Sequence, residues 1–255
     1  MKRHNLIGLT LAALILITAL LWVTFRHKPI TQTAPTPRGS STTPSVADQP
    51  QPFNKTLYST SEADSIWVVI NKKRILADGY VPVDLINPNV PLRLAKTSEE
   101  MLVRKTTATA MESMFQVASK DGVTLMLASG YRSQSLQKVV YNGFVQRDGQ
   151  AAADRASARP GHSEHQTGLA FDVEPASRTC EIQECFADTP EGKWVALHAY
   201  DYGFILRYGK DQETLTGYEY EPWHLRFVGV DLAKEMQQAH QTLEQFFDLP
   251  AAPNY

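Results

Sequence analysis

The sequence predicts an α+β fold, a small antiparallel sheet flanked by helices, preceded by an N-terminal transmembrane helix. Three observations predict it. Short apolar runs at Ser65–Ile70, Thr124–Ser129, Leu169–Val173 and Trp223–Phe227 have the length and composition of strands. Apolar residues recur at helical spacing at Ala108, Met111, Phe115 and Ala118, and again at Ala233, Met236, His240, Leu243 and Phe247. The two kinds of element mix without strict strand–helix alternation, which argues against a parallel doubly wound sheet.

Taken in chain order, the first element is Leu6 to Phe25, a stretch of twenty residues without a charge. At 1.5 Å per residue it spans about 30 Å, the hydrocarbon thickness of a bilayer. A cleaved signal peptide has a shorter apolar run of roughly 7–15 residues and a small-residue cleavage site. Here the run ends in Leu21-Trp22-Val23-Thr24-Phe25 followed by Arg26. Residues 1–28 therefore read as an uncleaved membrane anchor in preference to a signal sequence. Residues 29–55 hold six of the fifteen prolines with many Thr and Ser. They cannot bury a core and read as an extended linker. The main domain occupies 56–255. Within it, a further helix begins at Thr189-Pro190, a capping residue followed by proline in the first turn, and stops at Gly203.

The 255 residues carry a net charge of −2, unevenly placed. Residues 1–55 hold six Lys and Arg against one Asp, leaving 19 basic against 26 acidic residues in the remainder. An acidic main body lacks the basic footprint of a nucleic-acid partner. The two cysteines, Cys180 and Cys185, fit a small disulfide loop in an oxidising compartment or half of a four-ligand zinc site. No second pair exists to complete such a site, which favours the disulfide. Anchor, linker and disulfide together place the domain at the cell membrane, single-pass, on the periplasmic or extracellular side.

Three segments carry potential chemistry. In Ser163-Glu164-His165-Gln166-Thr167-Gly168-Leu169-Ala170-Phe171-Asp172, an aspartate lies inside an apolar strand. Such a carboxylate is costly unless it is paired or bound to a cation. In Glu221-Pro222-Trp223-His224, the proline keeps Glu221 out of a helix, so Glu221 and His224 project from an extended segment. His165, Asp172 and His224 could hold one zinc ion with a fourth position left for water, and Glu221 could take that water's proton. On spacing alone, structural histidines and an arginine-paired aspartate fit as well. His162 is the natural decoy, and His198 and His240 read as packing residues. In Ser129-Gly130-Tyr131-Arg132-Ser133, a glycine turn after a strand could present Arg132 to a carboxylate or an oxyanion, or leave it as an ordinary surface arginine.

These segments together resemble the VanY-type D-alanyl-D-alanine carboxypeptidases, related to the zinc peptidases with the hedgehog-like fold. The family's S-G-Y-R-S segment and following Gln match Ser129 to Ser133 and Gln137. Its S-x-H-x-x-G-x-A-x-D segment matches Ser163, His165, Gly168, Ala170 and Asp172, and its E-x-W-H segment matches Glu221, Trp223 and His224. The likeness extends over most of Ser65 to Phe227, including the VVINKKR and YGFILRY stretches, with Gly209 standing where relatives often have proline.

The resemblance implies one Zn2+ on His165, Asp172 and His224, with Glu221 as catalytic base and Arg132 as the group that holds substrate or stabilises charge. It implies substrate contacts from Ser163, Gln137, Tyr131, Ser129 and Trp223, with the Cys180–Cys185 loop shaping the entrance. The expected activity is removal of the C-terminal D-alanine from peptidoglycan stem peptides. The alternatives are an LD-carboxypeptidase, an endopeptidase on the same polymer, or a non-catalytic wall-binding module. A serine mechanism finds little support. Ser135-Leu136-Gln137-Lys138 spells S-x-x-K, but neither S-D-N nor K-T-G occurs, and Gly161-His162-Ser163-Glu164-His165 lacks the last glycine of a nucleophile elbow.

Overall fold

Four antiparallel strands in the order β3-β4-β6-β5 carry the domain: β3 Leu125–Ser129, β4 Ala170–Pro175, β5 Phe204–Leu206 and β6 His224–Phe227. A two-stranded ribbon precedes them, β1 Leu85–Ile86 with β2 Val103–Arg104. The helices are α1 Lys105–Lys120, α2 Gln134–Asp148, α3 Gln150–Ala156, α4 Pro190–His198, α5 Glu213–Thr216, α6 Val230–Ala239 and α7 Leu243–Phe246. This computed structural model describes residues 53–255, so the expected membrane helix and most of the linker lie outside the described residues. Among the described residues, no helix is long and apolar enough to cross a membrane. Phe53 already packs on Trp67 and Phe246, with ring centroids 5.6 and 5.5 Å away, ahead of the expected domain start at residue 56.

The sheet sorts its residues by face, as the two-residue period of a strand requires. Leu125 and Leu127 of β3, Phe171 and Val173 of β4 and Leu225 of β6 are buried in the main core with Met111, Phe115 and Ala118 of α1. Asp172 and His224, one residue out of phase with those apolar positions, face the other way. Register does the rest. Asp172 pairs directly with His224 across the β4–β6 ladder. A slip in the β3–β4 register between Leu127 and Ser129 sets Ser129 opposite Asp172. Bulges of this kind re-aim side chains beside functional sites.

Two expectations fail. Ser65–Ile70 forms no strand, although Trp67, Val68, Val69 and Ile70 are all buried. Three of its carbonyls are taken by arginine side chains instead of a ladder. Arg226 donates to Ile66 O at 3.1 Å and Val68 O at 2.7 Å, and Arg74 donates to Val69 O at 2.9 Å. An apolar run reports burial, and here burial comes without pairing. The long C-terminal helix is two helices. His240 adopts a left-handed conformation at φ 51°, and a Thr242–Gln245 capping box starts α7 afresh. His240 is exposed and not a packing residue. The α4 expectation holds: Thr189 accepts from Gly192 N at 3.0 Å, and a 3-10 turn continues the helix to Gly203.

Candidate metal centre and active site

His165 comes from a 3-10 turn, Glu164–Thr167, that ends on Gly168 at φ +64°. A side chain there would be strained by that φ and would meet Arg104 Cγ and Leu85 Cδ2 at 2.9 Å. The turn delivers His165 to the edge of β4, above Asp172. His165, Asp172 and His224 are 5%, 6% and 4% exposed, and their ligand atoms all lie within 4.8 Å of one another. Asp172 Oδ2 is 3.4 Å from His165 Nε2, and Asp172 Oδ1 is 3.3 Å from His224 Nδ1.

This donor set fits a tetrahedral ion. Bonds of about 2.0–2.1 Å at tetrahedral angles separate donor atoms by about 3.3–3.4 Å; each histidine nitrogen approaches a different Asp172 oxygen at that spacing, and one donor atom from each of the three residues lies within 4.8 Å of the others. Asp172 Oδ1 is buried with no hydrogen-bond partner, which a cation would relieve. The imidazoles are oriented to match. His165 Nδ1 lies 2.7 Å from Gly130 O, an acceptor only, so Nδ1 carries the proton and Nε2 offers its lone pair towards Asp172. Burial alone would raise the Asp172 carboxyl, but the two histidines outweigh it and hold it far below the usual range. Burial lowers His165. Burial also works against His224, yet Asp172 and Glu164 push it up to about 9.

Glu221 approaches from the turn before β6. Its N–H donates to Tyr208 O and its carbonyl accepts from His224 N, both at 3.1 Å, which brings Glu221 Oε2 to 3.5 Å from His224 Nδ1. Burial pushes its carboxyl up to about 8, with His224 pulling it down and Asp172 adding to the rise. A carboxylate with proton affinity near neutrality suits a base that must also release its proton. Arg132 is bracketed on the same side. Its Nη1 donates to Gln137 Oε1 at 3.0 Å and its Nη2 to Ser129 Oγ at 2.9 Å. Gln137 is fixed in turn by donating to Ala158 O at 2.7 Å. Gly130 makes this possible, because a Cβ there would stand 2.3 Å from Leu102 O.

All five residues line one cavity of about 320 Å³. Of the expected substrate contacts, Ser163, Gln137 and Trp223 line it, whereas Ser129 and Tyr131 do not. Ser129 spends its hydroxyl on Arg132 and Glu100. Tyr131 is buried, its N–H bonded to Leu102 O, and directing Arg132 into the cavity turns the preceding side chain into the protein. Cys180 and Cys185 form a disulfide, and Ile182 and Glu184 from that loop line the cavity. The decoy His162 is 2.9 Å from Asn71 O and stands edge-on to Tyr255, outside the cluster.

One group escaped the sequence reading. Glu164, with no exposed side-chain surface, accepts from Arg207 Nε at 2.9 Å and Arg226 Nη1 at 2.8 Å. Arg207 also holds Glu244 through Nη1 at 3.0 Å and Nη2 at 2.5 Å. Burial would raise Glu164, but Arg226 and Arg207 hold it far below the usual carboxylate range. The available signal was an arginine inside each of two short apolar strand segments, FILR and HLRF, which requires a buried anionic partner.

Comparison with known proteins agrees with this geometry. Residues 100–230 match the VanY family, described as D-alanyl-D-alanine carboxypeptidase. The chain is 43% identical over 192 residues to the putative carboxypeptidase YodJ of Bacillus subtilis (strain 168), covering 75% of this chain and 70% of that protein. Its fold superposes on the LdcB LD-carboxypeptidase with a TM-score of 0.69 at 44% identity, covering 73% of this chain and 87% of the other. A mutant of the vancomycin-resistance D,D-pentapeptidase VanY, solved in complex with Zn(II), gives 0.60 at 27% identity, covering 72% and 99%. The chain is therefore a peptidase of the D-Ala-D-Ala carboxypeptidase type and belongs to the VanY family.

Proposed function

We propose that this protein is a zinc carboxypeptidase that removes the C-terminal D-alanine from peptidoglycan stem peptides. The observation that carries the reading is the meeting of His165, Asp172 and His224 with Glu221 and Arg132 around one cavity. His165, Asp172 and His224 would hold a zinc ion, which would supply Lewis acidity and lower the pKa of a bound water. Glu221, beside the cluster and with raised proton affinity, is placed to accept a proton from the attacking water at its carboxylate and to return it to the departing amine. The Arg132 guanidinium, held by Ser129 and Gln137, donates to negative charge on the scissile carbonyl or to the substrate's terminal carboxylate. Ser163 and Trp223 contact the peptide, while Ser129 and Gln137 act by positioning Arg132. The anchor and linker read in residues 1–55 support a catalytic domain held just outside the membrane, where that polymer lies.

Two bond classes are open to such a site. Cleavage after an L-centre is favoured by the 44% identity to LdcB, an LD-carboxypeptidase, against 27% to the D,D-pentapeptidase VanY. The test is incubation of the chain with synthetic tetrapeptide and pentapeptide stems, with and without chelator, with products read by mass. We expect chelator-sensitive loss of one D-alanine, faster from the tetrapeptide. Preferential loss from the pentapeptide assigns the DD activity instead. No cleavage of either stem by zinc-loaded protein overturns the carboxypeptidase reading.

A further inference from the structure

We infer that Glu164 is a positioning residue that fixes His224 with Nδ1 towards the metal, by accepting a hydrogen bond from Nε2. The inference rests on the zinc reading above and extends it to a residue outside the ligand set. Glu164 Oε2 and His224 Nε2 are both buried without a hydrogen-bond partner, and they face each other across 3.6 Å. Two orphaned polar atoms opposed in this way need a common explanation. A shared N–H satisfies both. It also makes His224 the counterpart of His165, whose second nitrogen is taken by Gly130 O.

The surrounding charges show why Oε2 is left for the histidine. Glu164 Oε1 receives both Arg207 and Arg226. The remaining guanidinium donors of Arg207 go to Glu244, and Arg226 gives its others to the carbonyls of Ile66, Val68 and Phe227. Two arginines balance two carboxylates within this group, so His224 can remain neutral and act purely as a donor through Nε2. A carboxylate there fixes the ring's tautomer and raises the basicity of the ligating nitrogen.

The substitution Glu164→Gln separates this role from simple packing. A glutamine keeps its oxygen on the two arginines and turns its NH2 towards His224, which then must accept at Nε2 and carry its proton on Nδ1. That tautomer cannot ligate through Nδ1. We expect the zinc dissociation constant, measured on the full chain by competition with a chromogenic chelator, to rise about 10–100-fold. Glu244→Gln disturbs the same arginine without touching His224, and it should lower the unfolding midpoint while leaving zinc affinity within about threefold.

Equal weakening by both variants, or wild-type affinity in E164Q, overturns the inference. Should E164Q fail to fold, long-range 1H–15N spectra of the zinc-loaded wild-type chain decide. A proton on His224 Nε2 supports the inference, and a proton on Nδ1 removes it. A wild-type chain that binds no zinc overturns the metal reading itself and this inference with it.

Discussion

Glu221 stands where burial and charge oppose each other, its side chain 15% exposed, 3.5 Å from His224 Nδ1, with a proton affinity raised to about 8. It is not one of the three candidate ligands, so removing its charge should separate chemistry from metal binding. Glu221→Gln should retain stoichiometric zinc by metal analysis while turnover falls about 10²–10⁴-fold. Wild-type turnover would remove Glu221 from the role of base. At this scale an aspartate in an apolar strand and a glutamate held out of helix by proline raised the candidate site, but spacing alone fitted structural histidines equally, and only the resemblance to the VanY family's motifs joined the residues. Glu164 was not legible. Its neighbours in sequence, Ser163 and His165, drew the attention, and its partners Arg207 and Arg226 lie far along the chain.

Among the elements, the disulfide loop is the one most open to experiment. Ile182 and Glu184 face the cavity from it, while the candidate ligands and Glu221 sit on the turn before β4, on the sheet and on the turn before β6. Replacing Cys180 and Cys185 together by serine should raise KM roughly 3–10-fold with kcat little changed, the pattern expected when binding common to substrate and transition state is lost. A comparable fall in kcat would show that the loop supports the chemistry itself. Elements read from the sequence held where apolar spacing was helical, as in α1, or where a cap preceded a proline, as in α4. They failed at one of four apolar runs and at one of two periodic patterns. Ser65–Ile70 is buried by arginines that take its carbonyls, and the last helix breaks where Thr242 offers a competing cap.

At the scale of the molecule, the Glu164–Arg207–Glu244 chain ties the turn before β4 to β5 and to α7. Burial works against Glu244 as it does against Glu164, and Arg207 outweighs it, so its carboxyl is lowered in the folded state. A carboxyl lowered on folding contributes stability above its unfolded value of about 4.5, and that stability is lost as pH falls through the folded value. The unfolding midpoint should therefore decline as pH drops below about 4.5, and less steeply in Glu244→Gln. Identical slopes for the two proteins would remove Glu244 from this acid response. The ladder that seats Asp172 opposite His224 has a separate consequence for how such proteins diversify. Because the β4–β6 ladder seats Asp172 opposite His224, the disulfide loop between β4 and α4 can gain or lose residues without shifting that pair of candidate ligands. An insertion of one residue within either strand would send a ligand to the opposite face. Selection for a new peptide is thus free to act on the disulfide loop, which lends Ile182 and Glu184 to the cavity, and an engineer reshaping specificity should begin there.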